Sequence, residues 1–220
     1  MRLNVCNSLS VASIAALAAL ALYLYPDLPH RVPAHWNLAG NLDGTLSKRN
    51  AVLAALAAPL VTFVLLTILQ RVSPRGFRMD QFQHVADAIV LTVTATLSGV
   101  GAIVLLSAGG NEVPRKVLLP LLLGAMFVVL GNYLGKVRRN FFIGIRTPWT
   151  LASDEVWLRT HRVGAWLFVL AGIAIMASAA APPRLFLLVL LWAIGAAAVV
   201  SVAYSFIVYR RLHGFHDRPG

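Results

Sequence analysis

Residues 185–211, "LFLLVLLWAIGAAAVVSVAYSFIVYRR", decide the fold. From Leu185 to Tyr209 no Asp, Glu, Lys or Arg interrupts the run, and Arg210 and Arg211 close it. About 20 largely apolar residues are enough to cross a bilayer as a helix. In hydrocarbon the segment must satisfy its own backbone hydrogen bonds, which a helix does and an open strand does not. Five comparable runs precede it, at 8–25, 51–69, 86–107, 117–135 and 163–181. Asp87, at the second position of the third run, is the single Asp, Glu, Lys or Arg among the six. A charge at the bilayer centre costs at least about 2.5 kcal/mol, so these interiors are strong candidates for spans. The expectation is an all-α integral membrane protein, a bundle of six transmembrane helices with two long structured loops.

Composition agrees. The 220 residues are 59% hydrophobic and 12% charged, against roughly 25% charged in soluble domains. The net charge of +11 needs no nucleic acid to explain it, because cationic loops flank membrane spans as a rule. There is no helix-turn-helix or basic arm, so direct nucleic-acid binding is not expected. The single cysteine, Cys6, forms no internal disulfide, and no Cys/His set has zinc spacing. The first run has a short basic lead in Arg2, as a signal peptide would. It carries its small residues inside and ends in Tyr23, Leu24, Tyr25 and Pro26, so it reads as an uncleaved span.

Charge sets the expected orientation. The N-terminus, the second and fourth connections and the C-terminal tail together hold thirteen Lys and Arg, and the remaining connections hold six. The excess belongs on the cytoplasmic side. Both termini and the connection 136–162 are therefore expected in the cytoplasm, with the connection 26–50 outside. Three regions follow: 1–70, two spans with the outward loop; 71–116, the third span and its flanks; and 117–220, spans four to six with the motif loop 136–162.

Long structured connections usually carry function. The outer one reads "YPDLPHRVPAHWNLAGNLDGTLSKRN". Pro26, Pro29 and Pro33 favour extended backbone and rule out a regular helix. "AGNLDG" suits tight turns, and Ser47 can cap the next helix. His35, Trp36 and Asn37 form its polar, aromatic centre. The loop could be a lid or receptor surface, or a belt in which Trp36 anchors at headgroup level.

The inner connection contains "KVRRNFFIGIRTPWTLASDEVWLRTHR". Gly135 permits a helix stop, and Lys136, Arg138 and Arg139 form a stop-transfer cluster. Asn140, Arg146 and Thr147 are expected to face one another or a ligand. Pro148 pushes Thr147 toward extended backbone, and Gly144 allows a conformation a larger residue would resist. Ser153 is a good N-cap, with Asp154 and Glu155 suited to the positive helix end. Glu155 and Arg159, and Trp157 and His161, each share a helical face. Arg146 has three readings: a site for an anion or peptide backbone, a lipid-phosphate contact, or an internal tie to Asp154.

Other signals are weaker. Asp80, His84 and Asp87 lie on one helical face and could ligate a divalent metal, but a solvated helix entry is the plainer reading. His213 and His216 are a similar pair in the tail. No nucleophile–base set, phosphate loop or zinc-hydrolase motif is readable, so neither an enzyme nor a cofactor is expected.

Residues 132–172, "NYLGKVRRNFFIGIRTPWTLASDEVWLRTHRVGAWLFVLAG", resemble the signature of the SdpI family of bacterial immunity proteins. "VPAHWNLAGNLDGTLSK" resembles the His-Trp-Asn-x-x-Gly loop of a companion N-terminal domain of unknown function. The resemblance implies a six-span protein of the bacterial cytoplasmic (inner) membrane, protection against a secreted membrane-active toxin peptide, and signalling by recruiting a cytoplasmic repressor. It implies binding roles for Asn132, Lys136, Asn140, Gly144, Arg146, Thr147, Pro148, Trp149, Asp154, Trp157 and His161 inside. Outside it implies His35, Trp36, Asn37, Gly40, Asp43, Gly44 and Lys48. Expected partners are membrane lipids, a toxin peptide and a repressor protein. The competing reading is a transporter or membrane enzyme acting on a lipid or small anion at the cytoplasmic leaflet.

Overall fold

Six helices dominate the computed structural model, which describes residues 4–36, 42–72 and 79–214. They are α1 (Val5–Leu24), α2 (Lys48–Arg71), α3 (Gln83–Ala108), α4 (Arg115–Leu134), α6 (Asp154–Ala177) and α7 (Pro183–His213). Each is long and apolar enough to cross a membrane. A short helix, α5 (Pro148–Ala152), sits in the inner connection. Many large apolar side chains point outward, including Trp166, Leu170, Trp192 and Val199, each more than half exposed. In water that surface would aggregate; in a bilayer it meets lipid.

The bundle is held by close approach rather than by apolar burial alone, since lipid is as apolar as leucine. α4 and α6 cross on glycines. A Cβ on Gly124 would lie 2.5 Å from the Gly172 carbonyl oxygen, and one on Gly172 2.5 Å from that of Gly124. One on Gly131 would lie 2.7 Å from the Ala165 carbonyl. The two backbones therefore touch over two turns, which maximises dispersion contact.

A second cluster joins α1, α2 and α3. Leu17, Ala21, Leu24, Leu28 and Leu105 pack together beneath the outer connection. At the opposite end the same three helices share a polar chain. Gln83 Nε2 donates to Gln70 Oε1 and to Asp87 Oδ1, at 2.7 and 2.9 Å. Asn4, whose Oδ1 caps α1 by accepting from Asn7 N–H, donates its Nδ2 to Asp87 Oδ2. Asp87 is thus buried inside a span and committed to amide donors. His84, which shared the proposed metal face, is exposed, and no group of three metal-ligating side chains occurs among the described residues.

The outer connection holds structure that composition did not announce. Strands β1 (Arg31–Trp36) and β2 (Leu42–Ser47) form an antiparallel hairpin. Pro33 is tolerated because both strands of a two-stranded sheet are edges. Ser47 caps α2 by accepting from Asn50 N–H, as expected. Val32 and Leu28 are buried and seat the hairpin on the helices. The helix breaks at 109–114 and near Pro182 are short, also as expected.

Candidate functional site

The inner connection is a knot of hydrogen bonds closed on its own backbone. Asn140 is fully buried. Its Nδ2 donates to the carbonyls of Arg138 and Ile143, and its Oδ1 accepts from the N–H groups of Phe142 and Ile143, at 2.7–2.8 Å. Every donor and lone pair of the amide is used. Asn140 therefore shapes the loop and faces neither Arg146 nor Thr147.

His161 and Trp157 form the floor. Their rings stack with centroids 4.0 Å apart, and both are buried. Trp157 Nε1–H donates to the Val137 carbonyl at 2.8 Å. Ile145 N–H donates to His161 Nε2, and His161 Nδ1 lies 2.9 Å from the Trp157 carbonyl. A backbone N–H can only donate and a carbonyl only accept, so the ring is held as its Nδ1–H tautomer. Gly144 bridges the two, with φ +113°; a Cβ there would lie 2.3 Å from His161 Nε2. Only glycine meets both demands.

Thr147 and Thr150 close the other side as a reciprocal capping box on α5, with Pro148 at its first turn. Thr150 Oγ1 also donates to the Ile145 carbonyl. Thr147 Oγ1 lies 3.0 Å from Ser205 Oγ, tying the loop to α7. Trp149 packs on Phe206 of the same helix, with ring centroids 5.0 Å apart. Ser153 caps α6 as expected, and Asp154 and Glu155 occupy its first turn.

The tie from Arg146 to Asp154 does not form. Arg139 takes Asp154 instead, at 2.7 Å, and also donates to the Leu151 carbonyl. Arg146 is exposed and donates to the Phe141 carbonyl. Arg159 pairs with Glu155 at 2.6 Å on the surface. That leaves Lys136, Arg138, Arg146 and Arg162 exposed, with no carboxylate partner among the described residues. Lys136 lies over the Tyr133 ring, and Asn132 is exposed in the last turn of α4. Pro148 and Asp154 are exposed too.

In the hairpin, His35 Nδ1 meets Asp43 Oδ1 across the two strands, with both side chains substantially exposed. Gly44 sits opposite His35, where a Cβ would lie 2.8 Å from His35 Cβ. Lys48 Nζ donates to the Pro26 carbonyl and lies over the Tyr25 ring, which anchors the hairpin's base. Trp36 ends β1 opposite Leu42. Asn37 and Gly40 lie outside the described residues. The two groups of residues thus lie apart, at opposite helix ends. Sequence reasoning missed Thr150 and Ser205, whose hydroxyls fix the loop; only the Thr-x-x-Thr spacing signalled the first.

Residues 136–209 match the SdpI/YfhL protein family, and residues 12–63 match a domain of unknown function (DUF1648). The first match spans the inner loop, α6 and most of α7; the second spans most of α1, the hairpin and the first two-thirds of α2. The chain is similar to Immunity protein SdpI of Bacillus subtilis (strain 168), with 25% identity over 212 residues, 94% of this chain and 98% of that protein. No solved structure matches. With the six candidate spans, the chain is therefore similar over residues 136–209 to the SdpI/YfhL family, and over residues 12–63 to the domain of unknown function.

Proposed function

We propose that the chain is a membrane immunity protein that protects its cell from a secreted, membrane-active toxin peptide. The similarity to Immunity protein SdpI along nearly the whole length of both chains carries this reading. The thirteen-to-six cation asymmetry supports an orientation with the hairpin outside and both termini and the inner loop in the cytoplasm. The hairpin then meets the toxin first. Its exposed His35 and Asp43, with Trp36, Asn37 and Gly40 of the same connection, are the proposed contact set. Gly44 and Lys48 act by shaping and anchoring it.

The inner loop divides by burial. Asn140, Gly144, Thr147, Trp157 and His161 build a rigid platform, while Lys136, Arg146, Pro148 and Asp154 present a surface to a partner. Recruitment of a cytoplasmic repressor would use that surface, and it fits a partner with an acidic patch. Protection by sequestration needs no catalytic step.

Survival tests the reading. A toxin-sensitive bacterium carrying this chain, or its Trp36→Ala, His35→Ala or Arg146→Ala variants at matched membrane levels, is challenged with a sporulation-delay-type killing peptide. The expected result is survival with wild type and with Arg146→Ala, and death with the two hairpin variants. Equal survival with hairpin variants and wild type would overturn the outer-site assignment. Death with wild type would overturn the immunity reading for that toxin.

A further inference from the structure

Beside the inner loop, α7 carries a shallow groove lined by Trp149, Ala198, Val199, Val202, Ala203 and Phe206, with no polar atom in its lining. It lies on the outside of the bundle: Ala198, Val199, Val202 and Ala203 are all exposed. Small Ala198 and Ala203 make the concavity, and Trp149 overhangs it from α5 while packing on Phe206. The overhang is fixed in place, since Thr147, two residues before Trp149, is bonded to Ser205 of α7.

The mouth of the groove is cationic. Arg146 precedes Thr147, is exposed, and spends part of a five-donor guanidinium on the Phe141 carbonyl. Arg210 lies one turn beyond Phe206 on the same face of α7, and Arg211 follows it. Lys136, Arg138 and Arg162 are further exposed cations of the segment 136–162.

From these two features we infer that the groove and Arg146 form a binding site for an anionic phospholipid of the leaflet that the inner loop faces. An acyl chain lies along Ala198, Val199, Val202 and Ala203 beneath Trp149, and the phosphate meets Arg146. The wholly apolar lining suits hydrocarbon, because a bound peptide would find no polar group there for its backbone. An arginine cluster at headgroup depth favours an anionic lipid over a zwitterionic one. The bound lipid would brace Trp149 and the loop against α7. The inference rests on the membrane assignment and not on the immunity reading, so either can fail without the other.

The test is native mass spectrometry of the detergent-purified full chain with phosphatidylglycerol or phosphatidylcholine added. Ala203→Trp fills the groove on its lipid-facing side, and Arg146→Gln removes the charge. Wild type should retain phosphatidylglycerol with roughly a fivefold preference per headgroup arginine. Ala203→Trp should retain neither lipid, and Arg146→Gln should show a preference for phosphatidylglycerol roughly fivefold weaker than wild type. A phosphatidylglycerol bearing a photoreactive acyl chain should crosslink wild type within 198–206, which covers the case of a misfolded Ala203→Trp. Equal retention of the two lipids by wild type, retention unchanged by Ala203→Trp, or crosslinks elsewhere would overturn the site. So would a wild-type dimer that Ala203→Trp converts to monomer, since a second chain would then cover the groove.

Discussion

At Gly144 a single backbone angle and a single ring nitrogen decide the same residue. The positive φ and the contact with His161 mean that Gly144→Ala must either strain the backbone or break the Ile145–His161 bond. A loss of about 1–3 kcal/mol is expected, read as a lower midpoint of thermal unfolding in detergent. Trp157→Phe keeps the stack but deletes the bond to the Val137 carbonyl, and should cost about 1–3 kcal/mol because that carbonyl is left unsatisfied. An unchanged midpoint for either variant would show that the loop is not held as described. Residues 140, 144, 147, 157 and 161 stood out in the sequence through the resemblance of residues 132–172 to the SdpI signature, and Trp157 and His161 also through their shared helical face. The sequence could not supply their partners, which are mostly main-chain groups whose placement depends on the folded loop. Arg146 and Arg139 show the same limit: either could reach Asp154 by chain distance, and only the loop's path selects Arg139.

At the scale of elements, the α4–α6 crossing depends on missing side chains. Gly124→Leu would drive a side chain into the Gly172 carbonyl and the Met176 backbone, and should cost about 3 kcal/mol, the upper end for overpacking. The Asp87 chain binds the ends of α1, α2 and α3. Asp87→Leu should cost about 1–3 kcal/mol by stranding the amides of Asn4 and Gln83. Asp87→Asn, which keeps an acceptor, should unfold at a temperature between that of Asp87→Leu and wild type. All six helices were legible, because uninterrupted apolar length is a strong signal and loop charge ends it. The hairpin was not: Pro33 hides the period-two pattern of β1, and Gly44, placed for its closeness to His35, reads as a turn residue. Asp87 was seen at the start of the third run, but its burial was not, since a helix entry and a helix interior look alike one turn apart.

For the whole molecule, sidedness is the first consequence. With Cys6→Ser as background, Asp43→Cys should react with a membrane-impermeant maleimide in intact cells. Arg138→Cys should react only after permeabilisation. The reverse pattern would place the hairpin in the cytoplasm and remove it as a toxin contact. In the proposed orientation the bundle offers one short, exposed hairpin to the outside and one cationic platform to the inside, joined by tightly packed spans. The most direct measurement is the membrane potential of cells challenged with the killing peptide, with and without this chain. The account predicts that the potential is held in expressing cells and collapses in the controls. Equal collapse in both, with the chain present in the membrane, would contradict it.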